Sequence, residues 1–168
     1  QFSIFPPAVK HLLIINLLAF VALSTPVVSE YLFTYGALWP IESGRFGVWQ
    51  LISYIFLHAG FGHIFFNLFA LWMFGQAIEN FWGTNRFVMY YFLTGIGAAL
   101  LHMLIGGVGA PTLGASGAVY GILLAFGMMF PNRPIMLLFP PIPIKAKYFV
   151  AIFGAIELIS GLTRANSG

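Results

Sequence analysis

Gly114-Ala115-Ser116-Gly117-Ala118-Val119-Tyr120-Gly121 opens an apolar run that lasts to Phe130, where Pro131-Asn132-Arg133-Pro134 stops it. A serine set among glycine and alanine carries a hydroxyl that neighbouring backbones can approach closely. Gly117 and Gly121 are four apart, so one helical face is nearly bare, as close helix packing in lipid requires. Two readings share the stretch: a nucleophile in a tight pocket, or a packing seam in which Ser116 bonds back to its own helix. The nucleophile elbow of α/β hydrolases is a poor match, because it needs glycine two residues after the serine and Ala118 stands there.

Composition sets the solvent. Of 168 residues, 60% are hydrophobic and only 7% charged, which excludes an ordinary soluble domain and fits a set of membrane spans. The net charge of +3 comes from a few loop residues and gives no nucleic-acid patch. Cysteine is absent, so neither disulfides nor a thiolate metal site can form, and no cofactor or metal is expected. The chain opens on Gln1 and closes on Arg164-Ala165-Asn166-Ser167-Gly168. Residues 1–168 are therefore expected to form one membrane domain, cut at both ends, with no cleavable signal peptide.

Five spans follow from the apolar runs. The first covers about Leu12 to Val28, preceded by Lys10 and His11, with Pro26 read as its end. From Ser29 to Leu57 the chain is aromatic but broken, and reads as structure lying in the membrane interface. A second span runs from about Gly62 to Phe81 and a third from Phe87 to Ile105, separated by the polar turn Glu79–Arg86. After the glycine-rich loop 106–112, Ser116 starts the fourth. Pro140, Pro141 and Pro143 make 135–144 an interfacial connection. The fifth spans Tyr148 to Leu162, with Glu157 inside it.

Basic residues orient the set. With a cytoplasmic N-terminus, Lys10, Arg86, Arg133, Lys145 and Lys147 face the cytoplasm and only Arg45 and Arg164 lie outside, as the positive-inside rule asks. His58, His63, Asn67, His102 and Ser116 then gather at the outer end. The fourth helix rises roughly 22 Å from Phe130 to Ser116, against a core of roughly 30 Å. Ser116 thus lies below the outer surface, and its free amides need a protein-enclosed or watery cavity. Polar groups at that depth are functional candidates. His63 and Asn67 share a helical face and both donate, as stabilisation of an oxyanion requires, and the Ser116 amide adds a third donor. The alternative is a structural clamp between spans two and four. His11 reads as a headgroup-level residue, His102 as packing or loop-anchoring, and His58 as either loop anchor or site lining.

The pattern His58-x4-His63-x3-Asn67 followed by Gly114-Ala115-Ser116-Gly117, with Tyr120 one turn on and Glu79 and Gly83 after span two, resembles the rhomboid family of intramembrane serine proteases. The resemblance covers essentially the whole chain in order. It implies an all-α polytopic membrane protein, a rhomboid-like helical bundle with five spans present of an expected six. It makes Ser116 the nucleophile, gives the oxyanion hole to His63, Asn67 and the Ser116 amide, and packs Tyr120 against the general base. Gly114 and His58 would line the substrate site. Substrates would be single-span membrane proteins cut near the outer face, and the location a bacterial inner (plasma) membrane.

Two departures accompany the resemblance. Trp49 is followed by Gln50 where the family often has arginine, which is expected to weaken the tether of the aromatic segment. The family's base is a histidine of a sixth span, which residues 1–168 do not reach, so this stretch alone is expected to be inactive. A client-binding pseudoprotease and a small channel or transporter are the competing classes. The clustering of polar groups at one end, with no path across, speaks against the channel.

Overall fold

The computed structural model describes residues 1–105, 110–137 and 140–166, and within the last helix the side chains of 146–156 and 159 only. Glu157 and Arg164 therefore lie outside the described side chains, as does most of the 106–112 loop. The element order is α1 (Pro7–Ala22), α2 (Pro26–Gly36), α3 (Gln50–Ser53), α4 (Phe61–Trp82), α5 (Thr84–Ile105), α6 (Ser116–Met129), β1 (Pro134–Met136), β2 (Pro143–Lys145) and α7 (Ala146–Asn166). The molecule is a helical membrane bundle. Helices α4 and α5, at 22 residues each, are long and apolar enough to cross a bilayer, while α1 and α6 are shorter apolar helices. The most apolar 18 residues of α5 are only 17% buried within the bundle. Leu93 and Leu104 of α5, Phe66 of α4 and Met128 of α6 all point outward, so the apolar surface faces the surroundings, as lipid solvation demands.

The five long helices alternate in direction. Glu79, near the end of α4, accepts the Ala8 and Val9 amides of α1 at 2.8 and 2.9 Å and the Thr84 hydroxyl of α5 at 2.8 Å. One carboxylate thereby answers the free donors of α1 and faces its positive dipole end. Asn80 exchanges two hydrogen bonds with the backbone of Ser3, pinning the arm before α1 to the same corner. Phe81 meets Phe130 edge-on at 6.2 Å, so the ends of α4 and α6 coincide as well.

Several boundaries differ from the sequence reading. The first long helix begins at Pro7 and ends at Ala22, and Pro26 starts α2 instead of closing a span. Proline suits the first turn because its missing N–H would be unpaired there anyway. The polar turn Glu79–Arg86 is almost entirely helical, with only Gly83 between α4 and α5. Its φ of +88° makes the reversal possible in a single residue. The ends of the expected 135–144 connection form an antiparallel pair, with Pro134 opposite Lys145, Ile135 opposite Ile144 and Met136 opposite Pro143.

Gln50 is itself a tether of the aromatic segment. It is fully buried, its Oε1 accepts the Trp39 amide at 3.1 Å, and its Nε2 donates to the carbonyls of Arg45 and Tyr35 at 2.9 and 3.4 Å. The Trp49 indole donates to Tyr35 and the Ser53 hydroxyl to Gly36, both at 2.7 Å. The segment between α2 and α4 is therefore held by a neutral carboxamide with three partners.

Helix α6 stands at the centre, packed on α4, α5 and α7. A side chain at Gly117 would collide with Ala98, and one at Gly121 with Thr94, both on α5. The Tyr90 hydroxyl donates to the Gly121 carbonyl at 2.5 Å, a bond that the missing side chain leaves open.

Candidate active site

Ser116 is the first residue of α6, half-buried, and in the turn before it Thr112, Gly114 and Ala115 are each held from outside. The Thr112 amide and carbonyl pair with the carbonyl and amide of Leu38, both at 2.9 Å, so the approach to the serine is bridged to the aromatic segment. The Thr112 hydroxyl is also 2.5 Å from His102 Nε2, which ties the end of α5 to the loop before Ser116. The Gly114 amide donates to the Tyr54 carbonyl at 2.9 Å, and the Tyr54 hydroxyl donates to the Gly95 carbonyl at 2.5 Å. The buried Ala115 amide donates to His58 Nε2 at 3.4 Å.

Gly114 has a φ of +120°, a backbone state that suits glycine. A β-carbon there would stand 2.6 Å from Cε1 and 2.9 Å from Nε2 of His63, so the imidazole lies directly against the glycine. The two histidine rings are 5.1 Å apart and meet edge-on. The His58 pKa is pushed down to about 4, by burial first and by the neighbouring His63 second, against a backbone contact with Phe56. At neutral pH His58 is thus uncharged, and its Nε2 can accept the Ala115 proton.

His58, His63 and the turn Gly114–Ser116 therefore come together, joining the start of α4 to the start of α6. Asn67 lies buried one turn along α4, where its Nδ2 donates to the His63 carbonyl at 2.9 Å. One of its two amide hydrogens is so engaged, which leaves one for another acceptor. Tyr120 sits one turn after the serine, its ring stacked on Phe153 of α7 at 6.1 Å and 18°. Gly154 leaves room for its hydroxyl, since a side chain there would collide with it. Tyr54, Leu38 and Thr112 were not singled out by the sequence. The bonds that join Leu38 to Thr112 and Tyr54 to Gly114 run through backbone groups, which any residue type supplies.

The arrangement is that of a polytopic helical membrane protein with a half-buried serine at a helix start, flanked by two histidines. The rhomboid-domain family model matches residues 45–167, and the chain belongs to the rhomboid family. It is 39% identical over 75 residues to Rhomboid protease GluP of Bacillus subtilis, covering 45% of this chain and 14% of that protein. It is 32% identical over 99 residues to the mitochondrial Rhomboid protein 1 of Saccharomyces cerevisiae, covering 56% and 29%. Rhomboid-like protease 1 of Toxoplasma gondii is 36% identical over 91 residues, with 53% and 30% covered. In each case the match spans less than a third of the relative's length.

Proposed function

We propose that the protein is an intramembrane serine endopeptidase that cuts transmembrane segments of single-span membrane proteins near the outer face. The observation that carries this reading is the grip on the serine turn. His63 packs on Gly114 while His58 holds the Ala115 amide, and both contacts fall within two residues of Ser116. In this reading the Ser116 hydroxyl attacks the scissile carbonyl and passes its proton to a base. His63, the second Asn67 hydrogen and the Ser116 amide then receive the oxyanion. None of the four histidines of residues 1–168 follows the serine, and the reading assigns the base to a sixth span after Gly168. The family and the relatives named as proteases support hydrolysis; the serine mechanism and the substrate class are the proposal.

The test uses the full-length protein and a single-span substrate in proteoliposomes. Ser116→Ala should abolish cleavage with little change in melting temperature, because it removes one hydroxyl from a site built of small residues. His63→Ala or Asn67→Ala should lower turnover per folded molecule by about 10²–10³, the scale for one oxyanion donor. Near wild-type cleavage by Ser116→Ala would move the nucleophile elsewhere. Unchanged turnover per folded molecule in both other variants would reduce His63 and Asn67 to a structural clamp.

A further inference from the structure

The end of the bundle away from Ser116 carries Lys10, Arg86, Arg133, Lys145 and Lys147, all exposed. Its one described carboxylate, Glu79, is buried and taken up by α1 and Thr84. Three of the five cations converge on the base of the β1–β2 hairpin. The Ala146 amide donates to the Arg133 carbonyl at 2.9 Å, the Lys147 amide donates to the Pro131 carbonyl at 3.0 Å, and Lys145 pairs with Pro134. Arg133 stands over the Phe130 ring at 4.6 Å and Lys147 over the Tyr148 ring at 5.1 Å. Ring faces accept no conventional hydrogen bond, so the N–H donors remain for a ligand. No carboxylate among the described residues meets any of the three.

The hairpin itself is two-faced. Ile135 is buried, whereas Met136, Pro143 and Ile142 are exposed around it. An apolar ridge beside three unpaired cations matches the boundary between acyl chains and anionic headgroups. We propose that the β1–β2 hairpin is a binding site for an anionic glycerophospholipid of the adjoining leaflet. Arg133, Lys145 and Lys147 would hold the headgroup phosphate, and Met136, Ile142 and Pro143 would lie among the upper acyl carbons. Arginine offers the phosphate a forked pair of donors, while the lysines act as mobile point charges. The commitment to lipid over an acidic protein segment rests on that apolar ridge, which a soluble polyanion would leave in water.

The experiment titrates phosphatidylglycerol or phosphatidylcholine into the full-length protein in a neutral detergent and counts retained lipids by native mass spectrometry. Each cation near a headgroup is worth about fivefold in affinity. The wild type should prefer phosphatidylglycerol at least tenfold, and Arg133→Gln, Lys145→Gln and Lys147→Gln combined should bring the two lipids within about twofold. Arg45→Gln, at the other end, should leave the preference intact. Lys145→Glu with Lys147→Glu keeps the Arg133 stacking and should favour phosphatidylcholine, a reversal that misfolding does not produce. Equal preference in the wild type and the triple variant would overturn the site. Saturation by a soluble polyglutamate peptide with no response to phosphatidylglycerol would assign the cations to an acidic protein segment, and overturn it too.

Discussion

Gly114 is the residue with the least freedom to change. Its φ of +120° and the His63 ring against its α-carbon act together, since a β-carbon would strain the backbone and displace the imidazole at once. Gly114→Ala should lower stability by about 1–3 kcal/mol. It should also lower turnover per folded molecule, because His63 must move. Melting curves beside cleavage rates check this; a variant that melts lower but cuts at the wild-type rate would separate the glycine from the site. Ser116, His63 and Asn67 were legible in the sequence because their spacing puts them on one face or at a helix start. The packing of His63 on Gly114 was not, because nothing in either local stretch specifies a partner about fifty positions away. For His58 the sequence left two roles open. Its bond to the Ala115 amide makes it a loop anchor.

At the scale of elements, the apolar runs located α4, α5 and α6 well, because glycine, threonine or proline marks each limit. The start of the chain was harder, since a proline can close a helix or open one. Pro26 does the second, and only the chain on its far side decides which. The hold that Glu79 exerts on α1 was invisible for a different reason: its partners are backbone amides about seventy residues away. Glu79→Gln keeps the shape but replaces a charged acceptor pair with one oxygen and an amino group that faces a donor. The loss should be about 1–3 kcal/mol, the cost of leaving a buried donor unmatched. Thermal unfolding in detergent measures it, and hydrogen exchange should rise first at Ala8 and Val9. A variant as stable as the wild type, with those amides still protected, would show that α1 is anchored by its apolar face alone.

The whole molecule presents two ends of opposite character, one with His58, His63, His102 and Ser116, the other with five cations. We expect the cationic end to face the cytoplasm, as the charge asymmetry requires. Residues 1–168 contain no cysteine, so a single substitution adds the one thiol of this stretch to report topology. In intact cells a membrane-impermeant maleimide should label Arg45→Cys and spare Arg133→Cys until the membrane is opened; the reverse pattern would invert the orientation and turn Ser116 inward. The same picture shows which helix is least free to turn. At Gly117 and Gly121 helix α6 takes the Ala98 and Thr94 side chains of α5 directly against its backbone, and it is further tied there by Tyr90. Rotating it by one residue would drive Ala118 or Ile122 into the space those glycines leave, so α6 is the stator of the machine. Ser116, at its first residue, is bolted to the frame, and any rotor must be sought among its neighbours.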